Sequence, residues 1–196
     1  SIDILADDLV DEDGYNLPVV LYYAVDVGDI GSNKTFVNTA YIEGVEDSTT
    51  RKLLVNSLDK SFEYYDSVTD IARFKIKLNE NNSVLGDGTS VKLTDVLSYD
   101  YYNSYVSKAY LDSIRVFSVK NGVETDVTST LGDFYTINYG SSNTTMDITL
   151  PDQQHYVIYV DYKLDFGTPR YVNDYIKNKV SITNNSEINV ISDEVE

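Results

Sequence analysis

An all-β fold of sandwich or barrel type is what this sequence predicts, and three observations carry that expectation. The first is residue usage: 18 tyrosines, with Val, Ile and Thr also frequent, against no Trp and little Ala. Such side chains suit a pleated, half-buried surface better than a helix. The second is the recurrence of short runs in which apolar residues alternate with polar ones. The third is the punctuation of those runs by turn-forming residues, at Asp13-Gly14, Gly86-Asp87-Gly88, Asn121-Gly122 and Gly140 to Asn143. A hydrophobic share of 42% is ordinary for a folded chain.

Taken in order, alternation predicts strands near 19–27 and 35–43, within PVVLYYAVDVGDIGSNKTFVNTAYI, and near 52–58. ARFKIKLN supports a strand at 71–79, VKLTDVL one at 90–97 and DSIRVFSV one at 113–119. Further strands are expected at 133–138, at 145–150 (TMDITLP), at 155–165 (YVIYVDYKL), at 175–183 (NKVSIT) and at 187–191. The stretch 98–112 is the one place where a short helical turn is expected.

Residues 18–42 and 156–182 also resemble each other. Each has a Tyr-rich alternating strand, a polar turn and a strand carrying Asn-x-(Ala/Val)-x-Ile. The first copy has too little chain before it for a whole domain. The economical division is therefore 1–54 as the terminal strands and linker of a preceding module, and 55–196 as a complete second module. With no signal peptide visible, the chain reads as part of a longer one.

The formal charge of −17 argues against nucleic acid or an anionic membrane as partner, since both require basic patches. Acidic residues crowd the first 59 positions, where 12 acids face 3 bases. There they form a solvated, self-repelling surface. No cysteine is present, which excludes disulfides and thiolate-bound zinc, and the one histidine, His155, does not make a metal site. No run is long and apolar enough to cross a membrane as a helix. Asp11-Glu12-Asp13-Gly14 lacks the ligand alternation of a calcium loop and reads as an acidic hairpin turn. No cofactor or metal is expected. Tyr64-Tyr65 and the Tyr99–Tyr105 cluster are read as sandwich-edge cover with hydroxyls in water, or as an exposed recognition patch.

Strand parity singles out three polar residues, because residues of equal parity share a face. Val91, Leu93 and Leu97 put Asp95 on the core face. Val180 and Ile182 do the same for Asn178, and Leu58 and Phe62 for Lys60. Lys75 and Lys77 alternate with Phe74, Ile76 and Leu78, so they lie on the opposite, solvated face. An amine, a carboxyl and an amide are each costly to bury alone. They therefore belong either to one shared site or to three strand ends that solvent still reaches.

These residues also carry a family likeness. Region 60–183 resembles the Cna-type (collagen-adhesin, A-type) domains of Gram-positive surface proteins. The likeness rests on the order of its segments: Lys60 ahead of ARFKIKLN, an acid inside VKLTDVL, the pair DSIRVFSV and TMDITLP, the strand YVIYVDYKL, and a last strand opening with Asn. The resemblance implies an Ig-like β-sandwich with a spontaneous Lys–Asn isopeptide bond. It makes Lys60 the nucleophile, Asn178 the acceptor and Asp95 the proton shuttle. Asn173 is the alternative acceptor; Asn178 is favoured because it shares parity with Val180 and Ile182. Asn38, on a face with Phe36, Ala40 and Ile42, takes the place of an orphan acceptor in the preceding module. The likeness further implies a stalk or adhesin module on the cell surface, wall-anchored, whose partners are neighbouring modules and a host extracellular protein or glycan. It implies no enzyme beyond one self-cross-linking event. An accessory sandwich of a secreted enzyme is the reading from another class.

Overall fold

The computed structural model describes residues 34–42, 45–53, 57–99, 106–166, 176–185 and 192. The chain divides into two compact units, Ser1–Ile30 and Gly31–Glu196, and every described residue belongs to the second. The strands expected at 19–27 and 187–191, and Asn173, lie outside the described residues.

Among the described residues, eleven strands follow in chain order: β1 (Lys34–Ile42), β2 (Val45–Leu53), β3 (Leu58–Asp66), β4 (Ile71–Leu78), β5 (Ser90–Ser98), β6 (Val106–Lys120), β7 (Val123–Asp126), β8 (Tyr135–Tyr139), β9 (Asn143–Pro151), β10 (Tyr156–Phe166) and β11 (Lys177–Ile182). β1 and β2 form an antiparallel sheet of their own. The others make a five-stranded sheet, ordered β3-β4-β10-β6-β7, and a four-stranded sheet, ordered β11-β5-β9-β8. All pairings are antiparallel.

The two-residue period of the sequence becomes the inside and outside of this sandwich. In β4, Ala72, Phe74, Ile76 and Leu78 are buried while Arg73, Lys75 and Lys77 point the other way. β10 contributes Tyr156, Ile158, Val160, Tyr162 and Leu164 to the same core, and β9 contributes Met146, Ile148 and Leu150. Side chains from both sheets form one contiguous cluster. Each fully buried Phe, Leu or Ile is worth about 1.5–3 kcal/mol relative to exposure, so the sheets hold each other through this layer.

Turn chemistry ends the strands where expected. Asn121 and Gly122, both at positive φ, join β6 to β7 in a two-residue hairpin. Asn79 leaves β4 in the left-handed region, at a φ of 63°, and its amide closes the next turn by accepting from Ser83 N and donating to Ser83 O, both at 2.7 Å.

The structure corrects two expectations and adds one strand. The run 106–112 is not a helical turn but the first half of β6, held along β10 by pairs such as Ala109 with Leu164. The strand expected at 52–58 does not run through as one element, since β2 ends at Leu53 and β3 opens at Leu58. β7, short and fully exposed, has no apolar alternation to announce it.

Candidate cross-linking site

β3 is an edge of the five-stranded sheet and β11 an edge of the four-stranded sheet, and the two edges pack against each other. This brings the first and last strands of the sandwich together at one side. Lys60 opposes Ile76 on the inward face of β3. A bulge follows, where Phe62 opposes Phe74 and Tyr64 opposes Arg73, leaving Glu63 as the extra residue. Phe62 is consequently 40% exposed, although its ring still packs edge-to-face with Phe74, the ring centres 5.6 Å apart. Lys60, two residues earlier, remains inside.

The Lys60 and Asp95 side chains have no exposed surface, and Nζ contacts Asp95 Oδ1 directly. Nζ also lies 5.4 Å from the centre of the Phe74 ring. Burial pushes the Lys60 pKa down; the charge of Asp95 and its hydrogen bond pull it back up, and burial prevails. The amine is therefore biased toward its neutral, nucleophilic form.

Asn178 is also wholly buried. In the register of β11 on β5 it opposes Leu97, and the next inward residue, Val180, opposes Asp95. Asn178 is thus one diagonal step from Asp95 on the same face. Neither its Oδ1 nor its Nδ2 has a hydrogen-bond partner. A buried amide with both ends unsatisfied is rare, because each orphan group carries its full desolvation penalty.

One residue of the site escaped the sequence reading. Tyr162 lies inward on β10, with its hydroxyl donating to Asp95 Oδ2 at 3.0 Å and its ring packed edge-to-face with Phe74, the ring centres 6.4 Å apart. Burial, reinforced by the Asp95 charge, holds its pKa well above the usual phenol value. The available signal was parity with Val160 and Leu164: a tyrosine aimed into a core needs a partner for its hydroxyl.

The remaining candidates are placed as follows. Asn38 is exposed on β1, opposite Thr49. Tyr64 and Tyr65 are exposed, at 42% and 37%. Tyr99 is buried, its hydroxyl donating to the carbonyls of Gly140 and Asn143 at 3.1 Å. Among the described residues no cluster of His, Cys, Asp and Glu is arranged to hold a metal, and no helix is long and apolar enough to cross a membrane.

Strand order, antiparallel pairing and a shared two-sheet core define an Ig-like β-sandwich. Solved structures similar to this chain come from surface adhesins and pilins of Gram-positive bacteria. The collagen-binding domain of a Staphylococcus aureus adhesin is 13% identical, with a TM-score of 0.42, the match covering 71% of this chain and 96% of that one. The collagen-binding subdomain of the Enterococcus faecalis surface protein ACE is 8% identical, with a TM-score of 0.42 and coverage of 71% and 95%. The major pilin SpaD of Corynebacterium diphtheriae is 11% identical, with a TM-score of 0.44 and coverage of 71% and 33%. No family model and no curated protein sequence matches the chain.

Proposed function

We propose that this chain is a load-bearing module of a bacterial cell-surface adhesin, closed by an autocatalytic isopeptide bond between Lys60 and Asn178. The observation that carries the reading is the buried Asn178 amide, unpartnered at both ends and set diagonally beside an acid that contacts a buried lysine.

The chemistry balances without a cofactor. Lys60 Nζ attacks Asn178 Cγ, the Cγ–Nδ2 bond breaks, and ammonia leaves. One proton must pass from Nζ to Nδ2, and Asp95 is the group placed to carry it. A protonated Asp95 also polarises the amide by donating to Oδ1. Folding supplies the proximity that a turnover enzyme obtains by binding its substrate. The event happens once per molecule, so it is self-modification. Its product relieves the orphan amide and the buried amine together. It also ties the first strand of the sandwich to the last, which stabilises the folded state by about 4–5 kcal/mol for a loop on the order of 100 residues in the chain-entropy account.

In this reading the sandwich spaces or presents a neighbouring module at the cell surface. Its partner class is a host extracellular protein, as collagen is for the staphylococcal and enterococcal domains named above. Intact mass spectrometry tests the bond. The expected mass is one ammonia below that of the sequence, with fragmentation placing the link between positions 60 and 178. Loss of one water would instead assign Asp95 as the acceptor, and an unshifted mass would overturn the reading.

A further inference from the structure

We infer that Tyr162 is a positioning residue for the cross-linking reaction, fixing the Asp95 carboxyl so that Oδ1, and not Oδ2, exchanges protons with Lys60 and Asn178. This rests on the reading of Lys60, Asp95 and Asn178 as a reacting trio.

The argument begins with the freedom of a carboxyl group. Its two oxygens are equivalent until the surroundings distinguish them, and the terminal torsion of an aspartate is broad. In an apolar core that freedom works against a shuttle that must face a donor and an acceptor in turn. Here the two oxygens have different partners. Oδ1 contacts Lys60 Nζ, while Oδ2 accepts from the Tyr162 hydroxyl at 3.0 Å. The two contacts come from opposite sides of the site, since β3 and β10 flank β4 in the five-stranded sheet. Together they fix the plane of the carboxyl.

The tyrosine is itself held. Its side chain has no exposed surface, and Phe74, which lies beneath Nζ, also meets the Tyr162 ring edge-on. Its position on β10 is set at a register shift: Asp161 opposes Ser113 and Tyr162 opposes Leu111, so Asp112 is the extra residue on β6. On the other side of the strand, Asp161 is bound by both Arg73 Nε and Nη2, at 2.6 and 2.7 Å, and by Ser113 Oγ at 2.8 Å. The strand is thus anchored on its outer face one residue before it presents the hydroxyl inside. Tyr162 does not touch the atoms that form or break bonds. It acts through Asp95, leaving Oδ1 as the oxygen that takes the proton from Nζ and returns it to Nδ2.

The test uses the full chain, made by timed cell-free synthesis and quenched into denaturant, with ammonia loss followed by intact mass. Tyr162→Phe keeps the ring and its contact with Phe74, so it is expected to fold. It should lose ammonia roughly tenfold more slowly than the parent, the worth of one hydrogen bond to a charged group. Its pH–rate profile should also be displaced, because the hydroxyl faces Asp95 directly and Lys60 through it, with Tyr139 the further titratable neighbour. A packing defect alone would slow the reaction without moving that profile. Should Phe at 162 impair folding, site-specific 3-fluorotyrosine preserves the hydroxyl and nearly the whole shape, and a displaced profile is again expected. A parent that loses ammonia alongside a variant of unchanged rate and profile would overturn the role of Tyr162 and leave the cross-link standing. A parent that never loses ammonia would remove both.

Discussion

Lys60 and Asp95 are 35 residues apart in sequence and belong to different sheets, yet their side chains meet in a site without exposed surface. Neither tolerates loss of the other if the bond has not formed, because a lone buried charge costs about 3–5 kcal/mol. Asn178 stands differently, since its amide contributes no hydrogen bond. Two variants that both abolish the cross-link should therefore differ in stability. Asn178→Leu keeps the Lys60–Asp95 pair and removes two orphan polar atoms, whereas Lys60→Ala strands the acid. Denaturant unfolding should find Asn178→Leu more stable than Lys60→Ala by about 2 kcal/mol or more. Equal stabilities would mean that the amide is satisfied before it reacts.

The unreacted lysine should also leave a mark on the pH dependence of stability. Burial lowers the folded-state pKa of Lys60. Between that value and the unfolded value of about 10.4, the unfolded chain binds the extra proton, so stability rises with pH. Asn178→Ala keeps the free amine and should gain melting temperature relative to Asn178→Ala/Lys60→Met as pH rises toward the unfolded value of about 10.4. The parent, whose nitrogen has become an amide in the proposed reaction, should show no such gain over its own pH 7 value from this group. A flat difference between the two variants across that window would count against a depressed Lys60.

Much of the site was legible from parity alone. Lys60, Asp95 and Asn178 each sit in a run where the residues two positions away are apolar, and all three are buried. That rule says which face a side chain is on, not which strand lies opposite. The diagonal placement of Asn178 and Asp95 depends on β11 pairing with β5, and the contact of Lys60 with Asp95 depends on two edges closing on each other; both are non-local. Arg73 and Asp161, 88 residues apart, illustrate the same limit. Each is visible as an outward residue of its strand, but their pairing needs the register of β4 on β10. Over 106–112 the helical turn expected within 98–112 gives way to strand for a related reason: the register shift at Asp112 interrupts the two-residue period that would have announced β6, while 100–105 lie outside the described residues.

Asp152 follows β9 in what the sequence shows only as a turn, and it organises the loop that joins β4 to β5. Its buried carboxylate accepts backbone N–H groups of Leu85 and Gly86, at 3.0 and 2.9 Å, and of Gly88 and Gln153, at 3.1 and 2.8 Å. Space there is tight: a Cβ on Gly86 would lie 1.9 Å from the Ser90 carbonyl oxygen. Asp152→Ala leaves several of these donors without an acceptor and should lower stability by roughly 3 kcal/mol or more. Gly86→Ala should be comparably damaging, because the clash is with backbone. Thermal melts of the two variants check both, and a loss under about 0.5 kcal/mol in Asp152→Ala, the range of ordinary surface substitutions, would show that water replaces the carboxylate.

The position of the proposed bond sets what the module does under tension. Lys60 is the third residue of β3 and Asn178 the second of β11. Force entering before β3 and leaving after β11 would pass from position 60 to position 178 through the side-chain amide. β4 to β10 would then carry none of it, although their antiparallel ladders would otherwise unzip. Apart from Leu58 and Asp59 at the start of β3, only the last residues of β11 would remain in the load path. They are held on β5 through Ile182 opposite Leu93, and beyond it by Asn184, which accepts from Lys92 N at 2.8 Å and donates to Ser90 O at 2.9 Å. In single-molecule pulling, the parent should show no extension from the stretch between 60 and 178. Lys60→Ala should release that whole stretch in one step, at about 3.3–3.6 Å per residue. Asn178→Leu should release the same length at a higher force than Lys60→Ala, because its buried pair survives. A parent that extends as far as Lys60→Ala would exclude a covalent link between these strands.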